Sequence, residues 1–89
     1  MKEITINCAT VGSMAELHDL LARELDFPEW YGKNLDALHD CLTDISEDTR
    51  IRLLNWADAE ASLGNYARAT KRAILEAAIE NKKLAVLFD

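Results

Sequence analysis

The sequence predicts an α/β fold, a three-stranded parallel sheet packed with four helices, and three observations lead there. Lys2–Asn7 alternates, with Ile4 and Ile6 on one face, as a half-buried strand does. Leu84–Phe88 is an unbroken apolar run, the pattern of a strand covered on both faces. Between them lies a short apolar stretch, Ile51–Leu54, reached and left through long helical segments. Connections of that length and kind imply parallel pairing through crossover helices. The strand order itself stays open. Eighty-nine residues, 49% of them apolar, predict one domain spanning residues 1–89 that folds without metal or disulfide staples.

Each element has a local reason. Ser13-Met14-Ala15-Glu16 is a capping box, in which the Ser13 hydroxyl and the Glu16 carboxylate satisfy each other's orphan amides. The helix it opens carries Met14, Leu17, Leu21 and Leu25 along one stripe, with Leu20 beside it and His18 at the edge. Pro28 and Gly32 then break regularity. Asn34 caps a second helix running to about Ile45. Its apolar face is Leu35, Leu38, Cys41, Leu42 and Ile45; Asp36, His39, Asp40, Thr43 and Asp44 fall on the other. Ser46–Thr49 reads as a polar turn, and Ile51–Leu54 as a strand with Arg52 facing water. Asn55 caps a short helix that Gly64 ends, with Trp56 as a core or edge aromatic in its first turn. From Asn65 or Tyr66 to about Lys82 a longer helix buries Ala67, Ile74, Leu75, Ala78 and Ile79 and exposes Arg72, Glu76 and Glu80. Lys82 and Lys83 suit its negative end.

Ten basic against sixteen acidic residues give a net charge of −6. That sign disfavours direct nucleic-acid binding, which draws its affinity from basic groups neutralising phosphates, and favours a positively charged protein partner. No segment approaches the roughly 20 apolar residues of a membrane span, and no signal segment precedes the first strand, so no membrane association and a cytoplasmic location are expected. Cys8 and Cys41 lack zinc-ligand spacing, and a cytoplasmic compartment argues against pairing them. Cys41 reads as a small core residue, and Cys8, at the end of its strand, as partly exposed. The three scattered glycines build no phosphate-cradling loop. Asp36, His39 and Asp40 could supply an oriented base or metal ligands, yet they fan across an open helix without a nucleophile or pocket. No catalytic residue, metal or cofactor is therefore expected.

A binding role asks for less. Asp36, Asp40 and Asp44 stand four residues apart, and each like-charged pair costs on the order of 0.2–0.5 kcal/mol. The helix dipole favours Asp36 in the first turn, but Asp40 and Asp44 gain no such benefit. Trp30 and Tyr31 precede these acids, next to a glycine that permits a sharp turn. Aromatics beside charges compose many interaction hot spots. One of the two aromatics is expected to turn inward and the other outward.

The stretches Pro28-Glu29-Trp30-Tyr31-Gly32, Asn34-Leu35-Asp36-Ala37-Leu38 and Asp40-Cys41-Leu42 closely resemble the barstar family, inhibitors of a secreted ribonuclease. Leu17-His18-Asp19-Leu20-Leu21 with Glu24-Leu25 is similar as well, and beyond Leu42 the likeness lies in the order and length of elements. The resemblance implies the same fold and a monomer when free. It also implies that the second helix and its preceding loop plug the active site of a basic ribonuclease or nuclease toxin. Asp40 would stand where an RNA phosphate sits, because a carboxylate can take Arg in a bidentate pair. Asp36 would be a second charged contact, Trp30 the loop aromatic, Asn34 a contact at the helix start and Glu76 an acid from the last helix. The family pattern has an aromatic where this chain has His39, and Gly-Trp where it has Asp44 and Ile45. These departures imply a partner surface that differs from that of the secreted ribonuclease barnase, and His39, between two carboxylates that favour its protonated form, adds a pH response. The expected function is an intracellular inhibitor or immunity protein. The alternative is a non-inhibitory acidic module that docks onto another basic protein.

Overall fold

The seven expected elements form in the expected order: β1 (Lys2–Asn7), α1 (Met14–Leu25), α2 (Leu35–Thr43), β2 (Thr49–Leu54), α3 (Trp56–Leu63), α4 (Asn65–Glu80) and β3 (Leu84–Phe88). They are seen in a computed structural model that describes Met1–Asp89. The strands make one parallel sheet in the order β1-β2-β3. Ile4, Ile51 and Val86 lie side by side across it, as do Ile6, Leu53 and Phe88. Both rows point toward the helices, and Ile6, Ile51 and Leu53 are fully buried.

The opposite face is open. Glu3, Thr5, Arg50, Arg52, Ala85 and Leu87 are all exposed, and Arg52 binds Asp89 across the strands at 2.6 Å. Leu84–Phe88, expected to be covered on both faces, is thus covered on one, with Leu87 left 53% exposed. The reason is topological. Strands laid down sequentially in one direction, with crossovers of one hand, place both helical connections on the same side of the sheet. Covering the second face would require the strand order to reverse.

Packing also adjusts the helices. Ser13 Oγ accepts from the Glu16 N–H at 3.1 Å, but the Glu16 carboxylate accepts from Gly12, one residue earlier than a closed capping box requires. Met14 is exposed rather than part of the stripe, because the first turn of α1 lies beyond the core that begins at Leu17. α4 buries Ala67, Thr70, Ile74 and Ala77, while Leu75 and Ile79, expected inside, face water, Ile79 being 81% exposed. Two apolar arcs share this helix, and the one rich in small side chains allows the closer approach. Thr70 tolerates burial by donating its hydroxyl to the Tyr66 carbonyl at 2.8 Å. Asn55 sits in the left-handed region and caps nothing with its side chain, which instead donates to Asn7 at 2.9 Å and ties α3 to the end of β1. Gly64, with φ of 56° and ψ of −125°, allows the sharp junction between α3 and α4. Cys8 is fully buried rather than partly exposed, and burial pushes its thiol up to about 11. Cys41 is half-buried, and both cysteines are free. No helix is long and apolar enough to cross a membrane.

α2 closes two residues before the expected Ile45, with Asp44 as its C-cap. Asn81, just past α4, supplies the reason. Its buried amide donates to the carbonyls of Leu42 and Ile45 at 3.0 Å each, and its Oδ1 accepts from the Lys83 N–H. One side chain therefore satisfies the end of α2 and the turn into β3 together. Replacing it removes the side-chain donor to the Ile45 carbonyl and leaves the Leu42 carbonyl only its longer backbone contact of 3.4 Å, so Asn81→Ala should lower the unfolding free energy by about 1–3 kcal/mol. Urea denaturation measures this directly, and a loss below about 0.5 kcal/mol would show that the cap does not matter.

Candidate protein-binding site

Asn34 has extended backbone and its Oδ1 accepts from the Ala37 N–H at 2.7 Å, which starts α2. The same side chain donates to the Gly32 carbonyl, so the loop and the helix share one joint. From that joint α2 rises as a ridge with Leu38 and Leu42 buried beneath it and Asp36, Asp40 and Asp44 exposed above. The loop aromatics divide as expected. Tyr31 is 7% exposed, and Trp30 is 85% exposed.

A cavity lies on each side of the ridge. On the loop side, an open groove of about 410 Å³ is bordered by Leu25, Phe27, Pro28, Trp30, Tyr31, Ala37, Cys41 and Ile45, with Asp26, Asp40 and Asp44 as its acidic lining. On the α4 side, about 420 Å³ lies among Leu35, Asp36, His39, Arg72 and Glu76. The fold therefore gathers Trp30, Asp40 and Asp44 around one hollow and Asp36, His39 and Glu76 around the other. Asn34 lines neither and serves the joint. No three His, Cys, Asp or Glu side chains converge as a metal site would require.

Six of the chain's ten Lys and Arg side chains are paired elsewhere. Lys2, Arg23, Lys33, Arg50, Arg52 and Lys83 pair with Glu47, Glu24, Asp19, Glu3, Asp89 and Asp48. No Lys or Arg pairs with Asp36, Asp40, Asp44 or Glu76. The Asp40 side chain is 82% exposed, and its nearest basic group is His39 Nδ1 at 3.8 Å. Four carboxylates at the site are left to solvent or to another molecule.

A family model described as Barstar (barnase inhibitor) matches residues 1–88. The chain belongs to the barstar family. It is also similar to a curated protein of Bacillus subtilis (strain 168), named "Putative ribonuclease inhibitor YrdF". The two are 40% identical over 83 residues, covering 92% of this chain and 91% of that one. Membership in a family of enzyme inhibitors makes the chain an inhibitor-type protein and not an enzyme.

Within this barstar-family chain, His39 differs from its sequence reading. Its main partner is Glu80 of α4, whose Oε2 lies 2.7 Å from Nε2, and Asp36 takes no part. The hydrogen bond to Glu80 raises the His39 pKa above the usual 6.5, and Asp40 adds to the effect. Glu80 was visible as part of the outer stripe with Arg72 and Glu76, but nothing local paired it with a residue 41 positions away. Arg72, read only as part of that outer stripe, lines the α4-side hollow, and Asp26, which lines the other, had no sequence signal. Tyr31 is held by His18, buried within α1, whose Nδ1 lies 2.6 Å from the Tyr31 hydroxyl. Burial lowers the His18 pKa.

The two histidines should therefore titrate apart. His39, raised in the fold, contributes stability below its unfolded pKa of about 6.5, and this is lost as pH rises through its folded pKa. His18, lowered in the fold, contributes stability above about 6.5, and this is lost as pH falls through its folded pKa. An NMR titration of the imidazole resonances should place His39 above 6.5 and His18 below it. Glu80→Gln should bring His39 back toward the usual value, and an unmoved His39 would refute the pairing.

Proposed function

We propose that this protein is an intracellular inhibitor of a basic ribonuclease, an immunity protein against a toxin made by the same cell or delivered by a competitor. It blocks the enzyme's active site with α2, where Asp40 takes the place of an RNA phosphate. The observation that carries this reading is the exposed Asp40 carboxylate, left unpaired by every Lys and Arg of the chain and set beside an exposed Trp30. A ribonuclease site collects Arg, Lys and His around the scissile phosphate. A carboxylate presents two acceptor oxygens to such a cluster, and an Arg can take both. Asp36 and Glu76 offer further charge on the α4 side, and Asp44 with Trp30 on the loop side. The family match and the name of the Bacillus subtilis relative support a ribonuclease as the partner.

Attraction between opposite charges should speed encounter and weaken with salt, since exposed charges are screened beyond about 8 Å at physiological ionic strength. In the bound state Asp40 would be desolvated, so removing it strands the partner's cations. Breaking a buried ion pair by removing one partner costs about 3–5 kcal/mol.

Asp40→Ala should therefore weaken ribonuclease inhibition by at least about a hundredfold. Its folding stability should stay unchanged or rise by a few tenths of a kcal/mol, because repulsion along the helix is relieved. A pull-down from cells identifies the partner, and a ribonuclease assay on that protein reads the effect. Full inhibition by Asp40→Ala would sink the phosphate-mimic mechanism. Capture of a basic protein without nuclease activity would instead favour an assembly or regulatory module.

Trp30→Ala removes an exposed anchor without touching the core. It should cost about 2 kcal/mol or more of binding energy while leaving the urea midpoint in place. Unchanged affinity in a titration of the same enzyme would exclude the indole from the interface.

A further inference from the structure

The segment between α1 and α2 bears the exposed Trp30 indole but has no regular structure of its own. Its backbone bonds are few: the Phe27 N–H reaches back to Ala22 of α1 and the Tyr31 N–H bonds to Pro28, both at 2.9 Å. Side chains tie it down instead. Lys33, whose φ of 53° is left-handed, reaches back to Asp19 of α1 at 2.8 Å. The neighbouring residue of α1, His18, is 1% exposed and uses both ring nitrogens. Nδ1 meets the Tyr31 hydroxyl and Nε2 meets the Tyr66 hydroxyl of α4, each at 2.6 Å. A single buried imidazole thus joins α1, the loop and α4. Neither bond goes to the acidic ridge.

We propose that His18 is a positioning residue for the binding loop: bonded to Tyr31 and Tyr66, it locks Tyr31 inward and so turns the adjacent Trp30 outward, and it does this only as a neutral ring. The inference rests on the reading of the loop as part of the interface. A neutral imidazole has one N–H and one lone pair, so it donates to one phenol and accepts from the other. A protonated ring has two N–H groups and no acceptor. It can still donate to both phenol oxygens, but one phenolic O–H then lacks an acceptor and the ring carries a charge in a buried site, which together loosen the latch. The ionisable groups facing the ring are Tyr31 and Lys33 from the loop, Tyr66 from α4 and Asp19 from its own helix. Burial and Lys33 favour the neutral form, while Asp19 opposes them and is itself occupied by Lys33. Holding the loop in its presented shape reduces what must be ordered when a partner binds.

Backbone ¹⁵N relaxation on the free protein tests the latch at about pH 7.5 and about pH 4.5, either side of the usual histidine value. The variants are His18→Leu, which can make neither bond, and His18→Gln, whose amide donates and accepts without titrating. In the wild type, residues 27–33 should be rigid at the higher pH and mobile at the lower, while the amides of β2 stay protected. His18→Gln should remain rigid at both, and His18→Leu, if folded, mobile at both. A rigid loop in folded His18→Leu, or acid loosening that persists in His18→Gln, would overturn the proposal. So would a wild-type loop equally rigid at both pH values.

The second arm uses the ribonuclease recovered in the pull-down. At the higher pH, His18→Leu should bind it about tenfold more weakly and His18→Gln within about twofold of wild type. Equal affinity for all three would remove the loop's order from binding. Because relaxation is read on the free protein, failure of the latch and failure of the ribonuclease assignment give different results.

Discussion

Leu38 and Leu42 sink from α2 into the core, Asn34 satisfies its first turn, and Asn81 reaches from the end of α4 to satisfy its last. Nine residues are too few for a helix to persist in water by itself, and this one also carries carboxylates that repel. Its existence depends on those contacts. Once they hold the buried face, the opposite face is free to be chosen for something other than stability. The candidate binding site is that freedom put to use, and it is why Asn81, which lies outside both cavities, matters to them.

The charges follow the same division. Ion pairs on the open sheet face and around the loop occupy most of the lysines and arginines, and the α2 ridge receives none of them. His39 is the exception, bridging to Glu80 and lying 3.8 Å from Asp40. That pairing draws one acid of α4 toward the ridge and sets a titratable group beside the Asp40 carboxylate. The position belongs to an aromatic in the pattern that the sequence otherwise resembles, so the electrostatics of the site vary inside a constant fold.

Much of this was legible in the sequence because it is local. The Asn34 cap, the burial of Leu38 and Leu42, the outward row of aspartates and the break at Gly64 each follow from residues within a few positions of one another. The family resemblance of the loop and α2 extended that reading to the whole fold and to the candidate contacts. What could not be read was lateral. Leu84–Phe88 is equally apolar whether one or two of its faces are covered, and only the strand order decides. Leu75 and Ile79 satisfy helical periodicity as well as Thr70 and Ala77 do, and only the fit against α2 and the sheet selects between them.

The sequence alone therefore determined the seven elements, the acidic ridge, the division of Trp30 and Tyr31 between solvent and core as a pattern, and the family. Which of the two aromatics turned inward was decided by tertiary structure, through a histidine 13 residues before Tyr31 and a tyrosine 48 residues beyond that histidine. The same holds for the His39–Glu80 pair, the Asn81 cap and the two cavities flanking α2. Each joins residues brought together only by the parallel crossovers. A hydrogen bond or a hollow depends on distances of a few ångströms across the fold, and periodicity along the chain does not specify them.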